Sequence, residues 1–257
     1  MARTPAVFIG HGSPMNAIEH NRFTESWAEF GRSVGKPRAV LAISAHWYVG
    51  FTAVTAMEKP KTIHDFFGFP QQLFDIEYPA AGDAGLAREV VKALDPMWVG
   101  EDFDSWGIDH GTWSVLAHVF PNADVPVVQL AIDMNKPIAE HLEIGSRLNA
   151  LRDEGVLVMG SGNVVHNLRA MDWANPDSAF DWNDSFDRHV RDIMASDPRA
   201  LVDVERHPEY RKAVPTPDHF LPLAYVAGIA VDSNSKAEVL VGGPQYGSLS
   251  MTSYVVR

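Results

Sequence analysis

The 257-residue sequence has 46% hydrophobic and 21% charged residues, a composition typical of a globular protein long enough to bury a substantial core. Its net charge of −12 argues against a nucleic-acid-binding or anionic-membrane-binding surface, where a basic patch is expected. The absence of cysteine excludes a disulfide framework, a thiolate zinc site and a cysteine nucleophile, and it fits a reducing cytoplasm.

Short β-branched runs alternate with segments of helical periodicity along the chain. The predicted elements, in order, are a strand at 6–10, a helix at 23–34, a strand at 39–47, a helix at 83–94, a strand at 125–132, a helix at 138–153, a strand at 156–162, a helix at 217–227, and strands at 237–243 and 249–256. Gly155 is the predicted cap of the third helix. For the fourth helix, Thr216 is the predicted N-cap, Pro217 the first residue and Gly228 the terminator. Because strands alternate with helices, we predict an α/β fold with a largely parallel central sheet flanked by helices.

The sequence contains neither a repeat nor a Ser/Gly linker, so we predict one catalytic domain over residues 1–257. The stretch 58–82 is rich in proline and glycine but contains four phenylalanines and a tyrosine, which favours a packed loop over a site rather than a linker. The N-terminal apolar stretch is too short for a signal peptide, and no apolar run approaches the roughly 18 residues of a membrane helix. We therefore expect a soluble cytoplasmic protein.

Three of the eleven histidines lie where predicted strands end. His11 directly follows the first strand, His46 ends the second, and His166 follows the fourth by a short turn. Ligands of open α/β sheets bind outside the carboxyl ends of the strands, and neutral imidazole suits Zn, Fe and other first-row ions. His219 falls in the first turn of the fourth predicted helix, where the helix N-terminus favours a neutral ring. These positions predict a metal site, although a hydrogen-bonded structural role for each histidine stays open.

Motifs for other chemistry are weak. The loops "GHGSPM" (10–15) and "GSGNVV" (160–165) are neither a P-loop nor a complete dinucleotide loop, and Ser13 and Ser161 do not lie in a Gly-x-Ser-x-Gly elbow. For His64, in the aromatic loop, and His110, which in "WGIDHGTW" precedes a further helical segment, a site role and a structural role are equally well supported. The residues by themselves thus indicate an α/β protein with a candidate metal site.

Eight short motifs occur in order along the chain: "GHGSPMNA", "SAHW", "TIHDFFGFP", "YPAAG", "WGIDHGTW", "GSGNVVHNL", "TPDHFLPL" and "GSLSM". Together they resemble the bacterial 4,5-DOPA extradiol dioxygenase family, which belongs to the class III, LigB-like ring-cleaving dioxygenases. The resemblance covers essentially the whole chain. It implies the single-domain α/β fold of that superfamily.

The resemblance also implies roles for individual histidines. His11, in "GHGSP", and His46, in "SAHW", would be metal ligands. Class III enzymes generally add a carboxylate, but the matching late position here is His219, which is usual for this subfamily. His166 would be the acid/base residue of ring cleavage or a fourth metal contact. His110 would line the substrate pocket and hydrogen-bond a catechol or oxygen atom.

The implied reaction inserts both atoms of O₂ into a catecholic, DOPA-like substrate. A catechol must lose protons to chelate a metal, so an imidazole with a pKa near 7 suits the general base. The metal holds catecholate and O₂ side by side and passes electrons between them, which Fe²⁺ can do and redox-inert Zn²⁺ cannot. We therefore expect Fe²⁺ for ring cleavage and consider Zn²⁺ an alternative bound metal.

Aromatic residues near these motifs are candidates for substrate binding. His64 and Phe66 lie in the aromatic loop, which can either wall the pocket or belong to the core. Trp47 follows His46 and could shield it from water. These three residues complete the predicted site.

Two other functions stay open for the same residues. A zinc-dependent hydrolase could use the imidazoles without O₂, although no carboxylate base is evident beside them. A non-catalytic binding protein could keep the fold, although it has no need of a metal site. We expect a small-molecule catechol and O₂ as partners, neither nucleic acid nor membrane, and leave homo-oligomerisation open.

Overall fold

Eight β-strands form one mixed sheet in a computed structural model that describes residues 3–257. In that range the strands are β1 (Ala6–Gly10), β2 (Ala39–Val49), β3 (Ala53–Thr55), β4 (Lys61–Thr62), β5 (Gly100–Asp102), β6 (Gly107–Ile108), β7 (Val127–Asp133), β8 (Val156–Gly162), β9 (Glu238–Val241), β10 (Pro244–Gln245), β11 (Leu249–Ser250) and β12 (Ser253–Val256). The α-helices are α1 (Arg22–Val34), α2 (Gln71–Phe74), α3 (Ala84–Leu94), α4 (His110–Val119), α5 (Ile138–Leu148), α6 (Asp181–Ser196), α7 (Tyr210–Ala213) and α8 (Leu221–Asp232). Among the helices within residues 3–257, none combines the length and the apolar character needed to cross a membrane.

The strand order of the main sheet is β5-β3-β7-β2-β8-β1-β12-β9. Its central strands β7, β2, β8 and β1 pair in parallel. Strand β3 pairs antiparallel with β7, and β12 and β9 extend the other side of the sheet in antiparallel fashion. The predicted α/β fold with a largely parallel central sheet is confirmed, and the central strands end at one common edge.

Both faces of the sheet are covered by helices. Successive residues of β2 point to opposite faces. Leu41 and Ile43 belong to the larger core cluster, which includes the apolar sides of α3, α5, α6 and α8. Val40 belongs to the second core cluster, with Trp27 of α1 and Trp113 of α4. All residues of β8 are buried, as expected for a parallel strand covered on both faces.

The last helix begins later than the sequence predicts. It starts at Leu221, whose N–H bonds to the carbonyl of Pro217 in a preceding turn. Pro222 occupies the first helical turn, where a residue without an N–H is tolerated. The prediction that Thr216 and Pro217 are the cap and first residue is therefore wrong. His219 lies in the turn before α8 rather than in its first turn.

Two further element boundaries in the structure differ from those predicted from the sequence. The helix predicted at 138–153 is α-helical only through Leu148 and continues as a short 3₁₀ helix at Asn149–Arg152. Gly155 follows this segment with a left-handed φ of +81°, which favours glycine. The run predicted as one strand at 249–256 is divided, because β11 pairs with β10 whereas β12 joins the main sheet.

Helices α5 and α8 pack with their backbones in close contact. A Cβ atom on Gly228 would overlap the carbonyl oxygen of Leu142, and one on Gly145 would overlap the carbonyl oxygen of Tyr225. Gly228 thus lies inside α8, and the prediction that it terminates the helix is wrong. Its physical role is to let the two helices approach.

The same helix contact contains a buried histidine. His141 is 0% exposed, and its Nδ1 atom lies 2.9 Å from the Tyr225 hydroxyl. Burial lowers the pKa of His141 to about 4, from the ordinary value of 6.5. The unfolded chain therefore binds the proton first as the pH falls, and the free energy of unfolding decreases between pH 6.5 and 4. This single group contributes about 3 kcal/mol to the decrease.

We expect His141→Gln to remove that part of the pH dependence, because glutamine can accept the Tyr225 hydrogen bond but does not titrate. Denaturant unfolding of metal-free wild type and variant at pH 7.5 and pH 4 measures it. Other buried histidines titrate in both wild type and variant. The decrease in unfolding free energy from pH 7.5 to pH 4 is therefore compared between the two proteins, and the difference is the contribution of His141. Equal losses in the two proteins would show that His141 is not protonated on unfolding.

Candidate metal centre

Five histidines meet at the edge where the central parallel strands end: His11, His46, His110, His166 and His219. The first follows β1, the second lies near the end of β2, and the fourth follows β8. The third is the first residue of α4, and the fifth precedes α8. This edge is where open α/β sheets bind their ligands.

Three of these rings form a nearly equilateral triangle. Their centroids are 5.2 Å apart for His11 and His46, 5.3 Å for His11 and His219, and 5.1 Å for His46 and His219. The Nε2 atoms of His11 and His46 are 3.4 Å apart. Imidazoles that bind one tetrahedral metal at about 2.0–2.1 Å place their nitrogens about 3.4 Å apart and their ring centres about 5 Å apart. The ring centres of the triangle therefore have the spacing of a three-histidine metal site.

His110 offers an alternative third member. One ligand atom each from His11, His46 and His110 lies within 4.8 Å of the other two. The His110 centroid is 3.9 Å from that of His46 and 6.0 Å from that of His11, so this set is less regular than the triangle with His219. Both sets share His11 and His46.

A serine sets the tautomer of His11. The Ser161 hydroxyl donates to the backbone carbonyl of Gly111, so its oxygen is free to accept a hydrogen bond. The Nδ1 atom of His11 lies 3.0 Å from this oxygen and must donate to it. The proton of the neutral ring is therefore on Nδ1, and Nε2 carries the lone pair that a metal requires.

Carboxylates set the tautomers of three other rings. Asp65 accepts from Nδ1 of His46 at 2.9 Å and from Nδ1 of His110 at 2.7 Å. Asp218 accepts from Nδ1 of His219 at 2.5 Å. Since a neutral imidazole has one N–H group, each of these rings also presents an unprotonated Nε2. Histidine ligands of metals are commonly held by a carboxylate in this way.

The electrostatics of the cluster favour the neutral form of His11 and His219 but not that of His46. Burial, together with the neighbouring imidazoles, holds the pKa values of His11 and His219 well below their usual range. Burial alone would also lower the pKa of His46, but the hydrogen bond to Asp65 and the charges of Asp109 and Asp65 raise it overall. Burial would raise the pKa of Asp65, yet the hydrogen bonds from His110 and His46 keep it well below its usual range. Asp65 is therefore ionised at neutral pH.

His166 differs from the other four rings. It stacks on His219 with ring centroids 3.5 Å apart and planes 6° apart. Within residues 3–257, neither of its ring nitrogens has a hydrogen-bond partner, so no neighbour fixes its tautomer. Burial lowers the pKa of His166 to about 4, with Asp218 raising it and His46 and His110 lowering it further. This value is below the pKa near 7 expected for the base, and the ring is neutral and able to accept a proton at pH 7.

The donor set fits a divalent first-row metal ion. Three neutral imidazoles with free Nε2 atoms are typical ligands of zinc and iron sites. The nearby carboxylates of Asp65 and Asp218 already accept hydrogen bonds from the imidazoles. The structure therefore places these two carboxylates on the Nδ1 side of the rings.

Asp109 fixes the start of α4 and with it the position of His110. Its carboxylate is 0% exposed and caps the helix N-terminus. It accepts hydrogen bonds from the Ser44 hydroxyl at 2.7 Å, the Thr112 N–H at 3.1 Å, the Gln129 amide at 2.7 Å and the Trp106 indole at 3.3 Å. Every acceptor site of this buried anion is thus occupied, which offsets the cost of its burial.

We expect Asp109→Ala to lower the free energy of unfolding by about 3 kcal/mol, because a helix cap is lost and several buried donors lose their acceptor. Asp83→Ala is the matched control: Asp83 caps α3 but accepts only from the Leu86 N–H, so its loss costs about 1 kcal/mol. Denaturant unfolding of the metal-free proteins compares the two. Equal losses of unfolding free energy in Asp109→Ala and Asp83→Ala would mean that the buried hydrogen bonds of Asp109 add no stability beyond that of a helix cap.

The other predicted site residues lie at different distances from the cluster. Phe66 is adjacent, with its ring edge-on to His110 at a centroid distance of 5.3 Å. His64 lies farther out, bonded through Nε2 to the carbonyl of Ile76 at 2.9 Å and packed against Phe66. Trp47 is 5% exposed and stacks on Trp106, on the face of β2 opposite His46. Substrate binding by these residues stays a prediction.

Two carboxylates of this region were not predicted from the sequence: Asp65, which holds two imidazoles, and Asp109, which caps α4. Asp65 occurs in the quoted motif "TIHDFFGFP", and Asp109 in "WGIDHGTW". An aspartate directly before a predicted helix is a recognised N-cap signal, which would have identified Asp109. Nothing in the local pattern around Asp65 shows that its loop reaches His46 and His110.

Comparisons with known proteins found relatives that match nearly the whole chain. A family model described as the catalytic LigB subunit of aromatic ring-opening dioxygenase matches residues 4–257. The chain is 47% identical over 255 residues to the 4,5-DOPA dioxygenase extradiol of Escherichia coli K12, covering 98% of this chain and 94% of that protein. It is 35% identical over 261 residues to the enzyme of the same name from Beta vulgaris, covering 96% and 94%.

A solved structure has the same fold. A crystal structure of an uncharacterized protein from Escherichia coli K12 superposes with a TM-score of 0.87 at 42% sequence identity, covering 99% of this chain and 100% of that chain. The resemblance found in the motifs is thereby confirmed. The chain belongs to the LigB family and is an aromatic ring-opening dioxygenase.

Proposed function

We propose that this enzyme is an Fe²⁺-dependent extradiol dioxygenase of a DOPA-like catechol, with its catalytic domain spanning residues 1–257. The bacterial and plant relatives named 4,5-DOPA dioxygenase extradiol support this substrate class. The observation that carries the proposal is the set of imidazoles whose Nδ1 atoms are held by Ser161, Asp65 and Asp218, which leaves Nε2 free on rings whose centres have metal-site spacing.

His11, His46 and His219 are the proposed ligands. Their ring centres have the more regular spacing, and the Nδ1 atom of each has a separate hydrogen-bond acceptor. When bound there, Fe²⁺ supplies the electron transfer between catechol and O₂ that Zn²⁺ cannot supply. The reaction breaks one ring carbon–carbon bond beside the diol and places both oxygen atoms in the product, so no external reductant is required.

His166 is the proposed proton acceptor and donor. Because it is neutral at pH 7 and neither ring nitrogen is hydrogen-bonded to any of residues 3–257, it can take a proton from a catechol hydroxyl and return it during ring opening. A fourth metal contact is its alternative role. The absence of a carboxylate or hydroxyl behind its ring favours proton transfer, since the three proposed ligands all have such an anchor.

His110 and Phe66 are proposed to orient the substrate. The Nδ1 atom of His110 is held by Asp65, so its Nε2 is free to accept a hydrogen bond from a catechol hydroxyl. The edge of Phe66 lies against this ring and adds an apolar surface suited to an aromatic substrate. His64 packs against Phe66 and Trp47 stacks on Trp106, and substrate binding by His64 and Trp47 is part of the same proposal.

The test is O₂ consumption with a panel of small catechols, on protein stripped of metal and refilled anaerobically with Fe²⁺ or Zn²⁺. We expect uptake and a yellow ring-opened product with Fe²⁺ only. Equal rates for DOPA and unsubstituted catechol would contradict the DOPA-like preference. No uptake with either metal would contradict the proposed reaction and favour a hydrolase.

A further inference from the structure

One carboxylate holds two imidazoles of the site. The Oδ2 atom of Asp65 lies 2.9 Å from Nδ1 of His46, and its Oδ1 atom lies 2.7 Å from Nδ1 of His110. Oδ1 also accepts the backbone N–H of His110 at 3.1 Å. The side chain of Asp65 is only 20% exposed, so water competes little for these bonds.

Asp65 does not come from the central sheet. It lies in the loop between β4 and α2, whereas His46 is on β2 and His110 begins α4. The loop is fastened beside the site, because the Ile63 N–H donates to the Ile108 carbonyl and the Trp113 indole donates to the Ile63 carbonyl. Asp65 thus bridges two rings from different elements, and the hydrogen bonds of its loop hold it in place.

Only an acceptor with two oxygens satisfies both rings. An ionised carboxylate accepts at both oxygens, so His46 and His110 can both carry their proton on Nδ1. An asparagine has one oxygen that accepts and one NH₂ group that donates. It can serve one ring in this tautomer, but the other ring must accept at Nδ1 and carry its proton on Nε2. A ring with a protonated Nε2 cannot bind a metal through that atom.

We propose that Asp65 is a positioning residue that sets the tautomer of His46 and His110 together, and so links a metal ligand to the ring that faces the substrate. The roles of the two histidines rest on the proposed function. Their tautomers do not, because they follow from hydrogen-bond geometry. His11 and His219 have separate anchors in Ser161 and Asp218, so a change at Asp65 leaves them as they are.

The experiment compares wild type with Asp65→Asn, Asp65→Ala and the conservative Asp65→Glu. Asp75→Asn is the matched control, since Asp75 is a nearby exposed aspartate that accepts only from the Gln71 amide. In metal-free protein, ¹⁵N chemical shifts of the imidazole nitrogens report each tautomer. Zinc affinity is measured by competition with a chromophoric chelator. Circular dichroism verifies that each variant is folded, and Asp65→Ala replaces Asp65→Asn if the latter does not fold.

In wild type, at a pH at which both rings are neutral, we expect His46 and His110 as Nδ1–H tautomers. In Asp65→Asn one of them changes to Nε2–H, and in Asp65→Ala both become mixtures. His11 and His219 stay unchanged. Zinc affinity falls about 10- to 100-fold in Asp65→Ala, the range typical for loss of a group that holds a metal ligand. In Asp65→Asn it falls by a similar factor if the ring that changes is His46 and stays near the wild-type value if that ring is His110. Asp65→Glu regains at least part of the affinity, and Asp75→Asn equals wild type.

Retained Nδ1–H tautomers on both rings together with zinc affinity within twofold of wild type in Asp65→Asn and Asp65→Ala would overturn the inference. So would an equal tautomer change in His11 and His219, which would indicate a general loss of structure. Neither readout requires turnover. If the tautomers respond as expected but no catechol supports O₂ uptake, the proposed function fails and the role of Asp65 stands.

Discussion

Replacing His166 with alanine is expected to lower kcat for ring opening by about 1,000-fold while zinc or iron affinity stays within about twofold of wild type. General acid–base catalysis by a positioned side chain typically contributes 10²–10⁴-fold. His166 can supply it because its ring is neutral at pH 7 and, in the part of the chain that the structure describes, no hydrogen bond engages its nitrogens. Metal affinity is retained because the anchored rings of His11, His46 and His219 do not include it.

The measurement combines O₂ uptake under saturating catechol with metal titration of the same preparation. His20→Ala is the control, since His20 is an exposed histidine outside the cluster. A loss of metal affinity of 10-fold or more in His166→Ala would identify His166 as a fourth ligand. Unchanged kcat would refute its role in proton transfer.

Gly228→Ala is expected to lower the free energy of unfolding by about 4 kcal/mol, a large effect for the addition of one methyl group. The new Cβ atom would overlap the backbone carbonyl oxygen of Leu142, and it would also approach the backbone nitrogen of Ser146 to 2.8 Å. Backbone atoms cannot rotate away as a flexible side chain can. Helices α5 and α8 must therefore separate, which also disturbs the hydrogen bond between His141 and Tyr225.

Denaturant unfolding of the metal-free proteins measures this loss. Gly50→Ala is the control, because the nearest atom to a Cβ there is Asn135 Nδ2 at 3.6 Å, an ordinary contact. Gly145→Ala is expected to have an effect similar to that of Gly228→Ala. The double variant should lose less than the sum, since one separation of the helices accommodates both methyl groups. Strict additivity would mean that each site is strained locally and the helices do not move.

The regular elements were largely predictable because their signals are local. The β-branched runs at 6–10, 39–47 and 156–162 became β1, β2 and β8 with small changes in boundary. Their burial on both faces follows from apolar sequence and parallel pairing. The start of α8 was not predictable in this way, since Thr216–Pro217 and Pro222 both resemble helix starts and only packing selects between them.

Gly228 is a position where the local sequence pattern leads to a wrong prediction. Gly228 follows an apolar helical stretch, so it was predicted to end the helix. In the folded protein, α5 lies against this position, and the missing side chain serves the contact between helices. The helix that requires glycine at position 228 is α5, which lies about eighty residues earlier in the sequence. The local sequence around Gly228 therefore does not show this requirement.

The sequence by itself determined the fold class, the family and the histidines that gather at the sheet edge, because strand periodicity, strand ends and eight ordered motifs are all properties of the linear chain. The tertiary structure alone decided which groups hold those histidines. Ser161, Asp65 and Asp218 fix the protons of the rings through hydrogen bonds, most of them between residues 19 to 150 positions apart. Hydrogen bonds depend on distance and direction in space, and these arise only when the strands and loops are assembled.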